Sequence, residues 1–170
     1  MRGLQIWRSG SVQSPVAEEI QAPVVNCLVY EAWCDWLFGE IASSHALMDE
    51  AIATAKQLKD RYALALALAF AGSLAHLERD PAEVDRLSSE LIELSTRHHF
   101  AHFLTLGSIL RGWARSTSGS TEEGISGIEQ GIKDLRATSS VLDLALPLAR
   151  KAEALHLARP RLRPARCRGI

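Results

Sequence analysis

Residues 61–98 read RYALALALAFAGSLAHLERDPAEVDRLSSELIELSTRH, and the fold is decided here. Tyr62 to Leu77 is the most apolar stretch of the chain, bracketed by Asp60, Arg61, Glu78 and Arg79. As a helix it would span roughly 24 Å, short of the ~30 Å hydrocarbon core of a bilayer. It therefore reads as a helix buried between neighbours rather than a membrane span. Asp80-Pro81 then places an acceptor at an N-cap and a proline at the first helical position. Glu83, three residues after the cap, gives an acidic capping-box-like arrangement. Val84, Leu87, Leu91 and Leu94 follow at three- and four-residue steps, the stripe of an amphipathic helix. The segment is thus two helices joined by a tight turn.

A shift of about 40 residues aligns the chain on itself without gaps. Ala32, Gly72, Gly112 and Ala152 fall in one column, all small. Leu64, Leu104 and Leu144 form a second column, Leu66, Leu106 and Leu146 a third, and Ile52, Ile92 and Ile132 a fourth. Gly39, Arg79 and Gly119 mark a turn, followed by Glu40, Asp80 and Ser120. The pattern predicts first helices near 24–38, 62–78, 100–118 and 141–158, and second helices near 41–58, 81–98 and 121–137. Ser120-x-x-Glu123 repeats the cap of Asp80, and Ser140-x-x-Asp143 resembles it in the column of Asp60. Pro147 is expected to kink the last helix or delay its start. Gly72 and Gly112 each cost about 1 kcal/mol of helix propensity, so close approach of the two helices of a pair must offset them. Strand signals, such as an Asn-Gly hairpin or sustained two-residue alternation, do not occur.

Composition narrows the function by exclusion. The net charge is −1, with 20 acidic residues against 19 basic ones, so no global field favours nucleic acid or an anionic membrane. The opening segment, with Trp7 and Arg8 among several serines, is no signal peptide, and a cytoplasmic location is expected. Cys27, Cys34 and Cys167 lack paired spacing, which argues against a disulfide framework. Cys27 and Cys34, seven apart, share a helix face and read as two small buried apolar residues rather than a metal or redox pair.

The repeats resemble tetratricopeptide repeats (TPR). Gly72 with Arg79-Asp80, and Gly112 with Gly119-Ser120, match that family's mid-helix small residue and following turn. Ser44 and Ala51, then Gly124 and Gly131, match its small positions on the second helix, whereas Val84 and Leu91 depart from them. The period also exceeds the roughly 34 residues usual for that family. The stretch Leu106 to Ala114, with Glu122 to Ile125, Leu135 to Thr138 and Arg150 to Leu155, is similar to the C-terminal repeat region of large bacterial signalling proteins. Those proteins join a class III adenylate/guanylate cyclase domain or a DNA-binding winged helix to a P-loop ATPase and then to helical repeats. The resemblance covers roughly residues 24–158 and implies an intracellular regulatory role. It transfers no cyclase or ATPase activity, because the phosphate loop G-x-x-x-x-G-K-[ST] and a carboxylate pair suited to two-metal chemistry are both missing from the sequence.

Several residues invite a site. His98, His99 and His102 lie close in sequence, but the first two diverge on a helix, and cations suit a helix C-terminus. Trp33, Ser73, Trp113 and Glu153 share one column; Trp36, His76, Ser116 and His156 share another. One reading makes Tyr30, Trp33, Trp36, Ser73, His76 and Trp113 a groove that anchors a peptide. The other makes the aromatic rings inter-helix packing. Gly124, Gly127 and Gly131 read as close helix packing, not a phosphate cradle, and no G-x-S-x-G elbow occurs.

The expectation is an all-α, TPR-like helix-turn-helix solenoid with a period of about 40 residues. Residues 1–23 form an N-terminal remnant and loop, 24–158 three helix pairs and one unpaired helix, and 159–170 an Arg/Pro-rich tail expected to be disordered. The remnant and the missing partner helix suggest a truncated or frame-altered fragment; a genuine basic tail is the other possibility. The expected function is a non-catalytic scaffold for a protein or peptide partner, with no cofactor, no metal, no clear nucleic acid and no membrane. Two alternatives stand beside it: a piece of a cyclase–ATPase whose catalytic domains lie elsewhere, and a small-ligand-sensing repeat. Leu144, Leu148 and Leu155 on the unpaired helix suggest self-association.

Overall fold

The computed structural model describes residues 23–137 and 144–158. These form seven helices: α1 (Pro23–Leu37), α2 (Ile41–Gln57), α3 (Arg61–Leu77), α4 (Pro81–His98), α5 (Ala101–Thr117), α6 (Thr121–Ala137) and α7 (Ala145–Ala158). The described chain is all-α. The sequence's readings at residues 1–22, the Ser140-x-x-Asp143 cap, Cys167 and the Arg/Pro-rich tail lie outside the described residues.

Every helix from α1 to α5 stops in the same way. Gly39, Lys59, Arg79, His99 and Gly119, evenly spaced at half the repeat, all take positive φ. The next residue's N–H reaches back to a carbonyl five residues earlier: Glu40 to Asp35, Asp60 to Ala55, Asp80 to Ala75, Phe100 to Ser95 and Ser120 to Arg115, at 2.9–3.1 Å. This closure satisfies carbonyls that the helix end leaves orphaned. Three of the five left-handed residues are Lys, Arg and His rather than Gly, at a cost of about 1 kcal/mol each. Their side chains can repay part of that at a helix C-terminus.

Two of the described helix starts carry side-chain caps, one of them the cap anticipated at Asp80. Asp60 accepts from the Ala63 N–H at 2.9 Å, and Asp80 from the Glu83 N–H at 3.0 Å. Glu83 does not complete a capping box; its carboxylate instead grips Arg86 one turn on. Pro147 neither kinks nor breaks α7. It is the third residue of a helix beginning at Ala145, where a missing N–H would have had no intrahelical partner.

The core is centred on α3. Eleven of its 17 residues are buried, as expected of a helix apolar on all sides. Val84, Leu87, Leu91 and Leu94 turn the α4 stripe onto it. Each helix packs on its successor, and α1, α3, α5 and α7 also touch in turn, so the first helices form a continuous row. No described helix is long and apolar enough to cross a membrane.

The small positions split into two kinds. A Cβ at Gly112 would lie 2.8 Å from the Gly124 carbonyl oxygen and 2.9 Å from Ile128. A Cβ at Gly124 would meet the Ser116 hydroxyl and the Gly112 carbonyl. Backbone against backbone cannot give way, so α5 and α6 need both glycines. At Gly72 the nearest atom, 3.0 Å away, belongs to Leu110 of α5, with the Leu87 Cβ of α4 at 3.8 Å, so the following first helix crowds it more than its own partner does. Gly127 has nothing within 4 Å and is not a packing glycine, contrary to the expectation. We expect Gly124→Ala to cost about 2 kcal/mol by overpacking, and Gly127→Ala in the same helix to gain up to about 1 kcal/mol from propensity. Urea unfolding of the two variants checks this; equal midpoints would contradict the close α5–α6 approach.

Cys27 and Cys34 are exposed, not buried. The seven-residue spacing correctly puts them on one face. The core of α1, however, is Val24, Val25, Leu28, Val29 and Ala32. At 100° per residue, both cysteines lie nearly opposite Val25.

Candidate functional site

The row of first helices brings the singled-out residues into two groups. At the α1 end, Tyr30 and Trp33 meet Phe70 of α3 edge-on, with ring centroids 5.4 and 5.6 Å apart. Tyr30 remains 58 % exposed. Trp36 donates its indole N–H to Glu78 at 3.0 Å, and the same carboxylate oxygen lies 2.8 Å from His45 Nε2.

The second group joins α3, α5 and α7. Trp113 and His76 are buried, 1 % and 3 % exposed, with rings edge-to-face at 4.5 Å. Both point their N–H groups at one atom, Glu153 Oε2, at 2.8 Å from Trp113 Nε1 and 3.2 Å from His76 Nε2. Arg79, the left-handed residue ending α3, donates to the same oxygen at 2.5 Å. This ion pair gives a reason for arginine in a turn column otherwise filled by Gly39 and Gly119. One turn before Glu153, Arg150 is 2 % exposed. Its Nη2 donates to Ser73 Oγ at 3.0 Å, and its Nε has no hydrogen-bond partner. Ser73 in turn donates to the Ala69 carbonyl at 2.9 Å.

The charges in this group follow from burial. Glu153 feels burial pushing its pKa up, but the donors Arg79, Trp113 and His76 outweigh it and hold the carboxyl below its usual range. An ionised carboxylate only accepts, so His76 Nε2 must carry the ring proton. Its Nδ1 is then a buried lone pair without a partner. Protonating Nδ1 would add charge away from water and near Arg150. Burial first, then Arg150, therefore lowers His76 to about 4 despite Glu153. Burial also draws Arg150 down to about 10, with Glu153 opposing. At neutral pH the group is a carboxylate, a guanidinium deep in the fold, a neutral imidazole and an outer arginine.

Two cavities flank it. One of about 570 Å³ opens between the α3–α4 turn, α5 and α7, bounded by Arg79, Pro81, Trp113, Glu153 and His156. The other, about 170 Å³, lies between α1, α3, α5 and α7 and is walled by Trp33, Phe70, Leu106 and Leu110, with Ser73 and Arg150 at its edge.

Of the six groove candidates, the structure gathers Ser73, His76 and Trp113 around α7 and leaves Tyr30, Trp33 and Trp36 at the α1 end. Trp113 and His76 are buried, and Trp113 borders the larger cavity. Sequence reasoning overlooked Arg150, though a signal was there. In the repeat alignment it shares a column with Tyr30, Phe70 and Leu110, and a charge in an apolar column marks either an edge or a site. His99 serves as a left-handed helix end and His98 stacks on Phe100 at 5.8 Å. Among the described residues no group of three or more His, Cys, Asp or Glu is placed to hold a metal ion.

No protein-family model matches the chain, and neither does any curated protein or solved structure.

Proposed function

We propose that the chain is a non-catalytic scaffold of TPR-like helix pairs, recurring about every 40 residues as a solenoid. In this reading it holds a protein or peptide partner within a bacterial signalling protein. The observation that carries it is the aromatic edge of the first-helix row: Tyr30 stands largely in solvent while Phe70 fixes both it and Trp33 edge-on. Rings held in place beforehand lose little freedom on binding and are favoured anchors.

Other features support the reading. Helix starts at Ile41, Pro81 and Thr121, and at Arg61 and Ala101, keep the spacing of the sequence repeat. The successive contacts of the first helices suit a shared groove. Both hydrogen-bonding roles of Ser73 are committed, and His76 faces a carboxylate that already has two other donors. Groups so engaged suit holding α3, α5 and α7 together rather than moving protons. The signalling context rests on the similarity of Leu106 to Ala114 and its companion segments to repeats linked to cyclase and ATPase domains. Exposed Leu148 and Leu155 on α7 suit self-association of this helix.

The test is affinity capture from the native cell, comparing the wild-type chain with a Tyr30→Ala/Trp33→Ala variant of unchanged helicity. A partner held by the first and lost by the second is expected. Equal retention by both, or capture by neither, would set the reading aside.

A further inference from the structure

The 170 Å³ cavity beside Arg150 has a composition that packing alone does not explain. Its walls are Trp33, Phe70, Leu106 and Leu110, yet Arg150 and the serine it bonds both border it. Burying a guanidinium is costly unless it is paired and hydrogen-bonded. Here, among the described residues, it makes one hydrogen bond, to a neutral hydroxyl, and its Nε–H makes none. The nearby carboxylate of Glu153 is already shared by His76, Arg79 and Trp113. The depressed pKa of Arg150 reflects the same shortfall.

We infer that this cavity binds a small free carboxylate with an apolar body, about the size of benzoate. The carboxylate pairs with the Arg150 guanidinium beside Ser73, and the body rests against Phe70, Leu106, Leu110 and Trp33. Three features select this class. A planar guanidinium matches a carboxylate in a two-point pair. Glu153, one turn away, offsets part of the local positive charge, which disfavours a dianion such as a phosphate monoester. An apolar cavity of about 150 Å³ is enough to hold a benzene ring. A chain-terminal carboxylate of a peptide fits less well. Its backbone would be drawn against largely apolar walls, where the uncharged side-chain hydrogen-bonding groups are the Trp33 indole N–H and Ser73, whose hydroxyl already donates to Ala69 and accepts from Arg150. The inference is independent of the partner proposed above, since a chain without a protein partner still holds this cavity.

Titration of sodium benzoate into the purified chain, followed by calorimetry and tryptophan fluorescence, tests it. We expect saturable one-site binding, with benzamide and phenyl phosphate each weaker by roughly tenfold or more. Arg150→Met is expected to weaken benzoate by a similar roughly tenfold factor while its thermal midpoint holds or rises, because an under-compensated buried charge is removed. Should that variant fail to fold, Leu106→Phe fills the cavity with Arg150 intact and should abolish binding. No saturable benzoate binding would overturn the site. So would equal affinity for benzamide, binding unaffected by either variant, or tighter binding of a peptide ending in Phe.

Discussion

Trp113→Ala is expected to lower stability by about 3–5 kcal/mol, the range for emptying a large aromatic site in a core. Trp113 is 1 % exposed and is among the largest wholly buried side chains. Its loss removes packing from α5 and the edge-on contact with His76. It also removes a donor from Glu153, 2.8 Å away. Two effects are therefore mixed, and Trp113→Phe separates them. That variant keeps a ring in place but cannot donate, so about 1 kcal/mol of hydrogen bonding and a smaller packing loss should remain. In a chain of this size, a loss of several kcal/mol moves the thermal midpoint by on the order of 10 °C. Urea unfolding of both variants measures the difference. An alanine variant within about 1 kcal/mol of wild type would mean that Trp113 does not hold α5 and α7 together.

Acid should destabilise the fold in a defined window. His76 is lowered to about 4 in the folded chain, against 6.5 when free. Between those values the unfolded chain binds the proton and the folded chain does not, so stability falls as the pH drops from 6.5 towards 4. The full difference corresponds to about 3 kcal/mol, an upper bound because Glu153 opens partly to water. Glu153, held below the usual carboxylate range, acts in the same direction at lower pH: its contribution is present above the free value and lost as pH falls through the folded one. Urea midpoints at pH 8 and 4.5 should differ in the wild type, and most of the difference between pH 6.5 and 4.5 should vanish in His76→Phe. Parallel curves for the two proteins would show that another group controls the acid response. The charged groups acting on His76 are Arg150, Glu153 and Arg79, so Arg150→Met should also shallow the slope.

Local chemistry made most of the fold legible. Asp80-Pro81 fixed the start of α4, and the sequence repeat placed the other boundaries within a residue or two, apart from the start of α7. What sequence periodicity cannot supply is the direction of a face. Cys27 and Cys34 share one, but only the positions of Val25, Leu28 and Val29 reveal that it points outwards. Glycine spacing misled in the same way at Gly127, which lies on the open side of α6, whereas Gly124 and Gly131 face Gly112 and Ile109. The candidate site was half legible. Trp113 and Glu153 share a repeat column, but that they are hydrogen-bonded between neighbouring first helices emerges only from the structure. Arg150 and Arg79 entered through helix ends and long side chains, whose reach a column alignment does not encode.

The atom shared by His76, Arg79 and Trp113 has a consequence for how the chain comes apart. In a stack whose units touch only their neighbours, each unit contributes its own term and can melt on its own. Glu153 instead reaches past α5 and α6 to residues 74 and 77 positions earlier, at the far end of α3. The loss of α3 therefore removes support from α7 even while the hairpin between them is intact. From α3 to α7 the chain is a loop closed by Glu153 together with the Arg150–Ser73 hydrogen bond, and it is expected to open as a unit rather than by fraying from its end.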